Sequence, residues 1–259
     1  MGFDANTGAR VPQSPIVQKA ELFTRPNNTT AYAAGDAVAP ATVAITGATN
    51  ASPIVITAAA HGLSTGDRVF IAAVGGNTNA NGIRRVTVLT ANTFSLQDEV
   101  TGAAIAGNAA YTAGGTVQRI LRLTDVVPEQ GGSGSIVALR LQVSSGTVAN
   151  GTFRVRFYTS PIDQIADNAA FTLLDANKLK RIGYVDLTIL TTEGAGSDSA
   201  EVNVQLAQPL PFKCEAGRAE LYVQITALAA YVPEANDTFR LEVTIRRDSV
   251  ASPTRLAAS

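Results

Sequence analysis

Tryptophan is absent from the chain, and its 259 residues include one cysteine, one histidine and one methionine. A single cysteine excludes an intrachain disulfide, so packing and hydrogen bonding must hold the fold, as suits a protein made in a reducing cytosol. A single histidine means that a serine-hydrolase triad would need His61 as its base. One His and one Cys far apart in sequence make a poor zinc site. Aromatic residues are only 6% of the chain, which argues against a groove that stacks on sugar rings. No apolar run approaches the length needed to span a bilayer, and the first residues, M-G-F-D-A-N-T-G-A-R-V-P-Q-S-P, lack the apolar centre of a secretory signal. Basic and acidic residues nearly balance, 20 against 21, and no block of like charge stands out. A nucleic-acid binder needs a basic stripe to displace counterions from phosphates. Arg84-Arg85 and Arg246-Arg247 are isolated pairs that read as solvated strand faces. Neither nucleic acid nor membrane is an expected partner.

Ala, Gly, Thr and Val are abundant, and small or β-branched residues punctuated by glycine turns favour strands. The expected class is all-β. Residues 1–19 read as an extended N-terminal arm interrupted by Pro12 and Pro15. Residues 20–40 open a first domain, with turns at Pro26-Asn27-Asn28 and Ala34-Gly35-Asp36. Residues 41–117 form a denser unit that reads as an inserted small β-barrel-like domain, and 118–259 complete the first domain. Within the insert, Ile54, Val55 and Ile56 make a short buried strand, and Val69 and Ile71 alternate on the next. Asn81-Gly82 suggests a type I′ turn, and Asn92-Thr93 another tight turn before Phe94 and Leu96.

From Gln118 onward five runs alternate in the period of strands. Val137, Leu139, Leu141 and Val143 share one face, as do Phe153, Val155 and Phe157 opposite Arg154, Arg156 and Tyr158. Val202, Val204 and Leu206 follow, then Leu221, Val223 and Ile225 opposite Glu220, Tyr222 and Gln224, then Phe239, Leu241, Val243 and Ile245. Five half-apolar strands predict antiparallel sheets that bury one side each, as a jelly-roll-like β-sandwich or a closed barrel. Ile162 to Ile182 is the one helical candidate and is expected to form only short turns.

No constellation of reactive residues stands out, and the expectation is no enzyme: no catalytic residue, no cofactor and no metal. His61 lies in H-G-L-S-T-G-D, where its neighbours have an evident turn function. Cys214, between Lys213 and Glu215, has no activating context. Asp163, Asp167 and Asp175 fall in one loop-rich stretch, and Asp167-Asn168 reads as a backbone-turning pair. Gly131-Gly132-Ser133-Gly134 lacks the lysine and helix of a phosphate loop.

Two resemblances sharpen these readings. H-G-L-S-T-G-D-R-V (His61 to Val69) and N-T-F-S-L (Asn92 to Leu96) resemble the small β-domains related to the first catalytic cysteine half-domain of ubiquitin-activating enzymes. Such domains occur in phage structural proteins, and the resemblance implies no ubiquitin chemistry. Four further motifs appear in order: R-P-N-N-T-T-A-Y-A-A-G-D-A-V (Arg25 to Val38), G-S-G-S-I-V-A-L-R-L (Gly132 to Leu141), F-Y-T-S-P-I-D-Q-I-A-D-N-A-A-F (Phe157 to Phe171) and I-G-Y-V-D-L (Ile182 to Leu187). Together they resemble a tailed-phage virion protein family of head decoration, cement or other structural components. The resemblance implies a virion protein, made in the bacterial cytoplasm and bound to the outer surface of the phage head. Its partners would be the major capsid protein and copies of itself, with a trimer expected from shell symmetry. A tail, neck or fibre-attachment role, and a carbohydrate-binding or depolymerising receptor role, are the alternatives.

Overall fold

A computed structural model describes residues 16–144, 151–188, 191–192 and 199–248. Three antiparallel sheets carry the chain. The first has the order β1-β17-β11-β15-β14, built from β1 (Ile16–Thr24), β11 (Ser133–Val143), β14 (Thr191–Thr192), β15 (Ala200–Lys213) and β17 (Thr238–Arg247). The second has the order β10-β16-β12-β13, from β10 (Arg122–Leu123), β12 (Phe153–Tyr158), β13 (Arg181–Leu187) and β16 (Leu221–Ala227). Short β2 (Ala37–Val38) joins β16 at its side. The pairing is nested along the chain. β1 pairs with β17, β10 with β16, β11 with β15, and β12 with β13.

The apolar faces of these two sheets meet in one core that includes Leu139, Leu141, Phe153, Phe157, Val223, Ile225, Phe239 and Leu241. Burying each such side chain stabilises the fold by roughly 1.5–3 kcal/mol. Phe23 stacks on its cross-strand partner Phe239 within the first sheet, at 5.3 Å between ring centroids, and Phe153 of the second sheet meets Phe239 edge-on at 5.7 Å, joining the two. The all-β, antiparallel class read from the alternating runs is the one observed.

Three local expectations change. β1 begins at Ile16 and pairs residue for residue with β17, so Ile16 to Lys19 belong to the sheet rather than to an arm; residues 1–15 lie outside the described residues. In β11 the register shifts between Ile136 and Ala138 against both neighbours. This β-bulge reverses the phase of the strand, so Ile136 enters the core and Val137 does not. Finally, β16 is buried at every position, and its expected solvent face, Tyr222 and Gln224, is covered. Tyr158 is buried for the same reason, because something packs over the outer side of this sheet.

That covering is supplied in part by the third sheet. It has the order β3-β9-β6-β7-β8-β5-β4, all from Thr42 to Arg119. Its strands are β3 (Thr42–Ala44), β4 (Gly47–Ala48), β5 (Val55–Thr57), β6 (Arg68–Ala72), β7 (Gly82–Thr90), β8 (Thr93–Asp98) and β9 (Thr116–Arg119). The outermost strands, β3 and β4, are consecutive pieces of one segment, so the sheet rolls until its two ends meet. Ile45 continues the ladder to Gly115 and Thr46 the ladder to Thr57. The rolled sheet encloses its own core of Ile54, Ile56, Val69, Ile71, Val86, Phe94, Leu96 and Val117. The strands β3 and β9 at the two ends of this segment pair with each other, Thr42 opposite Gln118.

Asn81-Gly82 does not form a type I′ turn. Asn81 has φ −66° and ψ 152°, and the connection from β6 to β7 runs through a 3₁₀ turn at Thr78–Ala80. The Asn81 amide instead clamps a loop, accepting from the Val74 N–H at 2.9 Å and donating to the Val74 carbonyl at 3.1 Å. The helical candidate reduces to one turn, α1 (Asp175–Lys178).

Candidate functional site

The residues singled out in the sequence are dispersed and internally satisfied. His61 is buried; its Nε2 faces the Thr90 carbonyl at 3.0 Å, and its Nδ1 accepts from the Leu63 N–H at 3.0 Å. Those partners require the Nε2-protonated tautomer, so the ring holds a loop against β7 and packs edge-on against Phe94. Cys214 is buried, and burial together with the Glu220 charge pushes its thiol up to about 11. No thiolate forms there near neutral pH.

Asp163 and Asp175 do not join Asp167 in a carboxylate pair. Asp167 and Asn168 do occupy a turn, closed by the Ala169 N–H donating to the Ala166 carbonyl with Asn168 at φ +59°, but the Asp167 carboxylate is taken up by other segments. It accepts from Tyr32 Oη at 2.5 Å, from the Ala39 N–H at 3.0 Å, and from Arg25 Nη2 at 3.1 Å. Arg25 is sealed from solvent and also donates to Tyr32 Oη and to the Asn28 and Glu234 carbonyls. Asn168 Nδ2 donates to the carbonyls of Thr30 and Ala31. The pair therefore ties the segment after β1 to the segment after β12, a long-range role that no local turn motif signals. Burial, then the neighbouring Asp167, raises the Tyr32 hydroxyl far above its ordinary value and keeps it a donor.

The densest set of charges lies where the module meets the sandwich. Module residues Asp67, Arg68 and Glu99 face Arg122, Glu215, Arg218 and Glu220 of the host. Arg68 pairs with Glu99 at 3.0 Å and Glu220 at 3.4 Å, and Arg122 with Glu220 at 2.9 Å and Asp67 at 3.5 Å. Arg218 reaches both Glu99 oxygens at 2.6 Å, and donates to Tyr222 Oη at 2.7 Å. Tyr222 in turn donates to Glu220, and Arg119 pairs with Glu21 nearby. Beside these ions lies a dry patch of Ile120, Tyr158, Ile162 and Tyr222, against which Phe70 and Ile83 of the module pack. Burial alone would raise Glu99, but hydrogen bonds from Arg218 and Arg68 outweigh it and hold the carboxyl below its usual range. Glu21 goes the other way: burial dominates over Arg119 and raises it. Shared, bidentate geometry of this kind fixes orientation more than it adds stability.

An open depression of about 540 Å³ lies on the solvent face of the first sheet, lined by residues including Gln18, Arg140, Glu201, Asn203, Gln205 and Glu242. It is polar and has no aromatic lining. Arg140 spans Glu201 and Glu242 within it. Among the described residues no group of three or more His, Cys, Asp or Glu is placed to hold a metal ion, and no helix is long and apolar enough to cross a membrane. No family model matches the chain, and comparison with curated proteins likewise finds no match.

Proposed function

We propose that this protein is a structural subunit of a bacteriophage virion, bound to the outer shell of the head as a decoration or cement protein. The observation that carries this reading is the junction itself. A second β-module is joined to a β-sandwich through a buried ion network and an apolar patch, which yields one two-lobed body that offers faces rather than a reactive cleft. The nested pairing of β1 with β17, β10 with β16, β11 with β15 and β12 with β13 supports a jelly-roll-like sandwich. That architecture recurs in viral capsid proteins and lectins, an analogy of fold rather than of site.

The mechanism is mechanical. Each subunit sits across capsomer boundaries and buries surface against the major capsid protein and against copies of itself, with a trimer favoured by shell symmetry. An interface near ~1,000 Å² is about the threshold for a specific contact, and repetition over a closed shell multiplies it.

The test is the copy number per virion, measured by quantitative mass spectrometry against the major capsid protein. A ratio near one, or a simple fraction set by shell symmetry, is the expected result. A few copies per particle would assign the protein to the tail, neck or fibre attachment instead. Absence from the particle would favour the carbohydrate-receptor reading, for which the polar depression on the first sheet is a candidate surface.

A further inference from the structure

The outer face of the second sheet carries three guanidiniums on two neighbouring strands, Arg154 and Arg156 on β12 and Arg181 on β13. Register sets Arg154 opposite Asp186 and Arg156 opposite Tyr184. Arg154 gives its Nε and Nη2 edge to Asp186, at 2.6 and 2.7 Å, while its guanidinium lies 4.0 Å above the Tyr184 ring. Arg156 is built alike but incompletely. It lies 4.0 Å above the Phe171 ring, and Nη1 donates to Thr226 Oγ1 at 2.9 Å. Its Nε and Nη2, the same edge that Arg154 gives to a carboxylate, have no partner among the described residues, and neither atom is sealed from solvent.

Charge points the same way. Among the described residues, three guanidiniums stand against the carboxylate of Asp186 on this face, which leaves it locally positive, although the whole chain carries −1. Arg156 is half-buried, and burial followed by the nearby Arg154 and Arg181 disfavours its charge. A partly desolvated cation without a counter-ion costs free energy that an arriving anion would recover. The aromatic ring beneath holds the guanidinium plane, so the open edge is pre-organised for two coplanar acceptor oxygens.

We propose that this face docks an acidic polypeptide segment, with a glutamate or aspartate carboxylate taking the open Nε/Nη2 edge of Arg156 and Arg181 adding a second positive charge. A carboxylate fits because Asp186 already makes that bidentate contact with the adjacent arginine. A nucleic acid needs a longer basic track than three guanidiniums to displace its counterions. The inference does not depend on where in a particle the protein resides.

The test is fluorescence anisotropy of a labelled octaglutamate peptide titrated with the full chain at low salt, with octalysine and a single-stranded DNA octamer as controls. Octaglutamate is expected to bind, more weakly as salt rises, and Arg156→Gln to weaken it by about five-fold, the scale of one charge-assisted hydrogen-bond pair at a surface. Arg156→Lys keeps the charge without the fork and should recover little of the loss. Arg246→Gln, exposed on the other sheet, should change nothing. Melting curves report whether each variant folds, and Arg181→Gln carries the test should Arg156→Gln fail. No octaglutamate binding, equal loss in Arg246→Gln, or tighter DNA binding with the same dependence on Arg156 would each overturn the proposal.

Discussion

Replacing Asp167 by alanine removes three accepted hydrogen bonds at once, from Arg25 Nη2, Tyr32 Oη and the Ala39 N–H. Both members of the ion pair are sealed, with side-chain exposures of 0% for Arg25 and 4% for Asp167. The variant thus leaves a buried guanidinium without its hydrogen-bonded carboxylate, besides an orphaned hydroxyl and an orphaned backbone donor. Breaking a buried pair from one side costs about 3–5 kcal/mol. Taking ~4 kcal/mol and about 2–4 °C per kcal/mol for a chain of this size, the melting temperature should fall by roughly 8–16 °C. Without tryptophan, the assay is urea unfolding followed by far-ultraviolet circular dichroism and tyrosine fluorescence. The double variant Arg25→Met, Asp167→Leu should lose less than Asp167→Ala alone, because it leaves no stranded charge. A loss below about 1 kcal/mol for Asp167→Ala, or a double variant as damaged as the sum of its parts, would refute the reasoning.

Three other outcomes are expected. Glu99 is held below its ordinary range, so its contribution is present above the unfolded carboxylate pKa and lost as pH falls through the folded value. Glu99→Gln should therefore lower the melting temperature at pH 7, and the gap to the native protein should narrow as pH falls below the unfolded carboxylate range, as calorimetry across acid pH would read; Glu21, shifted upward, works in the opposite sense but equally in both proteins. The Cys214 thiol, pushed up to about 11 and buried, should resist a thiol reagent at pH 8 until urea unfolds the chain, and a rapid native-state reaction would contradict the burial. Gly115 has φ +103°, and a Cβ there would lie 2.6 Å from Val74 Cγ2. Gly115→Ala should cost about 1–3 kcal/mol, on the scale of overpacking plus backbone strain, measured by urea titration.

Much of the fold was legible because strands write their burial in a period of two. Phe153, Val155 and Phe157, and Phe239 through Ile245, lie in the core as their alternation requires. The rolled module, too, announced its buried positions at Ile54, Ile56, Val69 and Ile71. Periodicity failed where a neighbour changed the environment of a face. The alternation of β16 was read correctly, yet Tyr222 and Gln224 are buried because the module and the segment after β12 pack over them. The bulge at Val137 moved the phase of β11 by one residue, an event set by pairing with two neighbours at once. Asp167 carried no local sign of Arg25, from which it is separated by 142 residues.

Composition and patterning alone thus determined an all-β chain without disulfides, with antiparallel sheets and a module whose apolar positions repeat at strand spacing, since these follow from properties each residue has by itself. Tertiary structure alone decided which polar residues are buried and with whom. The Arg68, Glu99, Arg218 and Glu220 network, the Arg25 and Asp167 pair and the open edge of Arg156 depend on segments distant in sequence arriving at one place. A charged residue in a strand looks the same in sequence whether it meets water, a counter-ion or nothing, and only the packing of one element against another settles which.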